Sequence, residues 1–127
     1  MLCVVPARKG SKGLKNKNIK RLNNLPLILH TIKTAQKSKK ISNILLSTDD
    51  ERIIKLCRHE DKVIILFKRP RQLSRDSSSS INVYLHAIKM YEKLKKKKII
   101  DFCAMLPTHP VRSYKEIDKA ITMFYKK

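Results

Sequence analysis

The side chains best suited to binding or catalysis cluster between Pro6 and Asn18, where Arg8, Lys12, Lys15 and Lys17 surround Gly10 and Gly13, the two glycines of this 127-residue chain. Glycine opens backbone conformations closed to other residues and lets main-chain amides converge on an anion. Fixed cations around such a loop suit a polyphosphate. The spacing excludes two familiar cradles. Gly10-Ser11-Lys12-Gly13 has neither the G-x-x-x-x-G-K-[ST] spacing of a Walker A loop nor the G-x-G-x-x-G of a dinucleotide fold. On charge alone, a solvated basic turn remains the alternative.

A loop of this kind works only if the elements around it hold it in place. Leu2-Cys3-Val4-Val5 has the continuous apolar pattern of a buried strand, so the basic loop leaves a strand's carboxyl end, where open α/β sheets place ligands. Pro26 is suited to the first position of a helix running to about Lys37. A second strand is expected at Ile44-Leu45-Leu46, and Thr48 with Glu51 has capping-box spacing before a helix carrying Ile53, Ile54, Leu56 and Cys57. Asp49 and Asp50 suit a helix start, the favoured reading, and could also hold a divalent cation. Val63 to Phe67 reads as a third strand. A serine-rich crossover then leads to a helix with Ile81, Tyr84, Leu85, Ile88 and Tyr91 at helical spacing. Ile99 to Leu106 is a fourth strand, and Ser113 with Glu116 opens a last helix with Tyr114, Ile117, Ala120, Ile121 and Phe124 inward. This alternation predicts a three-layer α/β sandwich with a mostly parallel sheet, one domain over residues 1–127.

Thirty Lys and Arg against ten Asp and Glu give a formal charge of +20. Such an excess attracts polyanions. The lysines are nevertheless spread through every segment, with one run at Lys95 to Lys98 and no interleaved aromatics, which reads as solvated faces and no specific nucleic-acid surface. Cys3, Cys57 and Cys103 sit in apolar runs without a C-x-x-C pair, reading as small buried hydrophobes in a reduced compartment. No apolar stretch approaches membrane-spanning length and no signal pattern opens the chain, so a cytoplasmic protein without membrane attachment is expected.

Pro6-Ala7-Arg8-Lys9-Gly10-Ser11-Lys12-Gly13, continuing through Lys17-Asn18, resembles the P-A-R-x-G-S-K-G-x-x-x-K-N signature of acylneuraminate cytidylyltransferases, the CMP-sialic acid synthetase family. Ser47-Thr48-Asp49-Asp50, the Arg69-Pro70 to Ser80 element and Leu106-Pro107-Thr108-His109-Pro110-Val111-Arg112 resemble further family segments in the same order. The resemblance implies a Rossmann-like, glycosyltransferase-A-like nucleotidyltransferase fold in shortened form. It further implies transfer of CMP from CTP to an acidic nine-carbon acyl sugar, with Mg²⁺ assistance and release of pyrophosphate. By the same resemblance, Ala7, Arg8, Gly10, Ser11, Lys12, Gly13, Lys17 and Asn18 bind the triphosphate. Arg8 and Lys12 act catalytically on the leaving pyrophosphate, and Arg69, Ser78 and Ser80 contact cytosine.

Leu106, Thr108 and Arg112 fall on the sugar side. Leu106 replaces a glutamine and His109 a serine, and an apolar side chain cannot supply an amide's hydrogen bonds. Family members continue further, so the resemblance places the metal-holding aspartates, much of the sugar site and the homodimer contacts beyond Lys127. No residue within 1–127 is assigned to a metal. Two other readings stand beside the enzyme: a non-catalytic CTP-binding remnant and a basic polyanion-binding module.

Overall fold

The computed structural model describes residues 1–8, 21–22, 25–74, 80–107 and 113–126. Its centre is a four-stranded parallel sheet in the order β5-β4-β1-β6, built from β1 (Leu2–Pro6), β4 (Asn43–Ser47), β5 (Val63–Ile64) and β6 (Phe102–Ala104). Because all four strands run the same way, their carboxyl ends share one edge of the sheet. A small antiparallel pair, β2 (Arg21–Leu22) with β3 (Leu25–Pro26), precedes the first helix.

Alternation along β1 and β4 assigns the layers. Cys3, Val5, Ile44 and Leu46 point to one face and pack with α1 (Leu27–Lys37), α2 (Glu51–Cys57) and α4 (Tyr114–Tyr125). Leu2, Val4 and Leu45 point to the other and pack with Ala87 and Tyr91 of α3 (Ser80–Lys95). Strands covered on both faces need continuous apolar runs, which is why those of β1 and β4 were legible in the sequence.

The helix ends are fixed by polar contacts, and one differs from expectation. Asp50, not Thr48, caps α2: its carboxylate accepts the Arg52 amide at 2.9 Å and the Arg52 guanidinium at 3.0 and 3.1 Å. Thr48 Oγ1 instead accepts the Asp50 amide at 3.0 Å, closing the turn one step earlier, while Glu51 pairs with Lys68 at 3.2 Å. Pro26 likewise precedes α1 as its N-cap. Ser113 caps α4 as expected, accepting the Lys115 amide at 3.2 Å.

At the far end of α1, Lys62 adopts φ 67° and donates to the carbonyls of Gln36, Ser38 and Ile41 at 3.0 to 3.2 Å. One ammonium thus satisfies acceptors that the helix end leaves without partners. Asp118 ties α4 to the same turn through Ser38 Oγ and the amides of Lys39 and Lys40. Partial desolvation works to raise its carboxyl pKa, but these hydrogen bonds outweigh it and hold the group below the ordinary carboxylate value.

The outer strands are shorter than their apolar runs. β5 ends at Ile64 and β6 spans three residues, with Ile100 93% exposed and Leu106 40% exposed. Each is an edge strand, hydrogen-bonded to one neighbour and paired over fewer residues than its apolar run. On α3, Val83 and Ala87 are buried where Ile81 and Leu85 were expected, and on α4 Ala120 and Phe124 are exposed. Leu56 is 39% exposed on α2.

Candidate functional site

The carboxyl edge of the sheet is held together at the Ser47 carbonyl. Just past β1, Ala7 donates its amide to this oxygen at 2.9 Å, and Arg69 donates from Nη2 at 2.7 Å. Arg69 Nε reaches Ser47 Oγ at 3.1 Å, Nη1 reaches the Leu73 carbonyl at 3.4 Å, and the Arg69 amide donates to the Thr48 carbonyl at 2.8 Å. The ends of β1 and β4 and the segment after β5 therefore meet at one buried junction. Ser47 and Thr48 are fully buried, and Arg69 is 5% exposed.

The electrostatics follow from this convergence. Burial pushes the Arg69 guanidinium down to about 10; Asp49 acts to restore it and Arg8 to lower it further. Arg8 and Asp49 thus lie within electrostatic reach of Arg69 at the sheet edge, and Arg69 remains charged at neutral pH. Behind Arg69, His86 packs edge-on against Phe67 with ring centroids 4.9 Å apart. Burial first, and then Arg69, pushes this imidazole down, and its Nδ1 is buried without a hydrogen-bond partner among the described residues.

Of the residues singled out from sequence, the structure brings Ala7, Arg8 and Arg69 together. Ser80 opens α3, downstream of the same segment, and Leu106 follows β6 at the same edge of the sheet with a 40% exposed side chain. Gly10, Ser11, Lys12, Gly13, Lys17, Asn18, Ser78, Thr108 and Arg112 lie outside the described residues. Arg69 is not a freely presented cation, because its fork is bound to Ser47 and Leu73. Ser47 was missed as a site residue, although it stands in the singled-out Ser47-Thr48-Asp49-Asp50 segment. Its part depends on a carbonyl, which carries no side-chain signature.

The fit of a divalent cation can be judged from the donors present. Asp50 was the natural partner for Asp49 in such a site, but its oxygens are committed to the α2 amide and the Arg52 guanidinium. Among the described residues, no group of three or more His, Cys, Asp or Glu side chains could hold a metal ion. Asp50 caps α2, and Asp49 acts electrostatically on Arg69.

A family model described as cytidylyltransferase matches residues 2–83, which include β1, Ser47 and Arg69. The chain belongs to the cytidylyltransferase family. It is 36% identical over 124 residues to the post-translational flagellin modification protein B of Campylobacter coli, covering 98% of this chain and 52% of that protein. It is 31% identical over 124 residues to an N-acylneuraminate cytidylyltransferase of Escherichia coli, covering 98% of this chain and 28% of the relative. The chain thus spans about half of the first relative and less of the second. In structure it resembles a CMP:2-keto-3-deoxy-manno-octonic acid synthetase complexed with CTP, with a TM-score of 0.73 at 19% identity, covering 99% of this chain and 47% of that one. This agreement bears out the expected α/β nucleotidyltransferase fold. Among the described residues, no helix of this cytidylyltransferase-family chain is long and apolar enough to cross a membrane.

Proposed function

We propose that this chain is the nucleotide-binding part of a cytidylyltransferase that transfers CMP from CTP to an acidic nine-carbon acyl sugar of the sialic-acid type. The observation that carries the reading is the junction of Ala7 and Arg69 at the Ser47 carbonyl, with Arg8 within electrostatic reach of Arg69, all inside the stretch matched by the family model. In the proposed reaction, the anomeric hydroxyl oxygen of the sugar attacks the α-phosphorus of CTP. The bond to the β-phosphate breaks, pyrophosphate leaves and the hydroxyl proton is released. Catalysis of this type rests on positioning and charge stabilisation.

Arg8 and Lys12 would offset charge growing on the leaving pyrophosphate. Ala7, Gly10, Ser11, Gly13, Lys17 and Asn18 would complete the triphosphate cradle. Ser78 and Ser80 would read the cytosine edge, with Arg69 as the post behind them. Leu106, Thr108 and Arg112 would face the sugar. Magnesium would travel with the triphosphate and be held by carboxylates outside the described residues, since Asp50 is committed to Arg52. The formal charge of +20 favours one competing reading, a polyanion binder.

A thermal-shift panel separates these readings. CTP at saturating concentration is expected to raise Tm more than ATP, GTP or UTP, because a ligand that binds the folded state stabilises it. Heparin stabilisation that disappears with salt, with no preference for CTP, would establish the polyanion binder. CTP stabilisation without pyrophosphate release across a panel of acidic nine-carbon sugars would establish a binding remnant.

A further inference from the structure

Cys3 and Cys103 come from opposite ends of the chain, yet the sheet makes them direct register partners across the parallel pair of β1 and β6. Strand partners lie about 4.7–4.9 Å apart, inside the range of roughly 4.4–6.8 Å between Cα atoms that a disulfide spans. Both side chains lie on the face covered by α1, α2 and α4, Cys3 fully buried and Cys103 partly buried against the same cluster. The neighbouring Cys3 side chain is the main influence holding Cys103 below the ordinary thiol value, with burial opposing it and the amino terminus also lowering it.

Access comes from the α4 side. Cys103 lines a cavity of about 310 Å³ between β6 and α4, bordered by Met105, Glu116, Ile117 and Ala120. The remaining cysteine differs on every count. Cys57 is buried on α2, and burial, followed by Glu60, pushes its thiol up to about 12. The fold therefore distinguishes one paired, cavity-lining thiol from an isolated and unreactive one.

We infer that Cys3 and Cys103 form a dithiol pair that hydrogen peroxide entering the cavity beside β6 converts to a disulfide across the sheet. The Cys103 thiolate attacks the peroxide oxygen, the O–O bond breaks, and Cys103 becomes a sulfenic acid as the other oxygen leaves and is protonated to water. The Cys3 sulfur then attacks the Cys103 sulfur. The S–O bond breaks, the Cys3 proton leaves with the oxygen as a second water, and two thiols have supplied the two electrons that reduce the peroxide. The product fastens a three-residue edge strand to the strand beside it.

The test is peptide mapping of the folded 127-residue chain after hydrogen peroxide treatment, followed by denaturation and alkylation. The expected product is a linked Cys3–Cys103 peptide about 2 Da lighter than the sum of the two thiol peptides, with Cys57 alone alkylated. Dithiothreitol should restore all three thiols, and Cys57→Ser should leave the yield of the linked peptide unchanged. In Cys3→Ser, the reaction should stop at a Cys103 sulfenic acid that dimedone traps. Linkage between molecules, linkage through Cys57, or three alkylatable thiols after treatment of the unsubstituted protein would overturn the proposal.

Discussion

Arg69→Ala is expected to lose about 2–4 kcal/mol of folding stability, a large fraction of what a domain of this size possesses. The guanidinium supplies charged donors to the Ser47 carbonyl, the Ser47 hydroxyl and the Leu73 carbonyl, in a place where Arg69 is 5% exposed. Removing it takes the charged donor from the Ser47 hydroxyl and the Leu73 carbonyl and leaves the Ser47 carbonyl with the Ala7 amide, and the gap opens beside His86. A lysine offers a single ammonium in place of a planar fork, so Arg69→Lys should recover only part of the loss. Urea denaturation midpoints at constant m-value measure the difference. A change below about 0.5 kcal/mol would mean that the junction contributes no more than a surface contact.

Arg8→Ala and Lys12→Ala are each expected to weaken CTP binding about ten- to hundredfold, the loss that follows from deleting one charge-assisted contact to phosphate. The assignment to the leaving pyrophosphate makes a sharper demand: CMP, which lacks the β- and γ-phosphates, should bind the variants nearly as well as it binds the unaltered chain. Titration calorimetry with both nucleotides tests this. Equal losses for CTP and CMP would move these cations away from the leaving group.

The elements most legible in the sequence were those whose signal is local. The apolar run of β1 and the Ser113 cap of α4 needed no knowledge of the rest of the chain. The α2 cap was misplaced because Thr48-Asp49-Asp50-Glu51 offers competing caps, and the T-x-x-E spacing favours the first. The structure uses Asp50, whose carboxylate also binds Arg52. The buried face of α3 was shifted because Val83 and Ala87 carry a weaker apolar signal than Ile81 and Leu85, yet both are buried, Ala87 against Leu2, Val4 and Leu45.

Strand order was the larger obstacle. The pairing of Cys3 with Cys103 and the capture of Arg69 by Ser47 both require knowing which strands are neighbours. No local pattern encodes that. The site motif could be recognised because glycines, cations and hydroxyls at fixed offsets are themselves the local signal. Leu106 marks the complementary difficulty: a leucine where the family resemblance has glutamine shows that a hydrogen-bonding group is lost, without naming the sugar that would do without it.

CTP is expected to bind at the carboxyl edge of the sheet, where β1, β4 and the segment carrying Arg69 meet. Amide chemical-shift mapping of the isotopically labelled chain during CTP titration reads this out. The largest saturable changes should fall on Ala7, Arg8 and Arg69 and on the residues following Arg8, with Cys103 and the α4 cavity unmoved. Changes concentrated on the lysines of Lys95 to Lys98, or spread evenly over the basic surface and abolished by moderate salt, would contradict it.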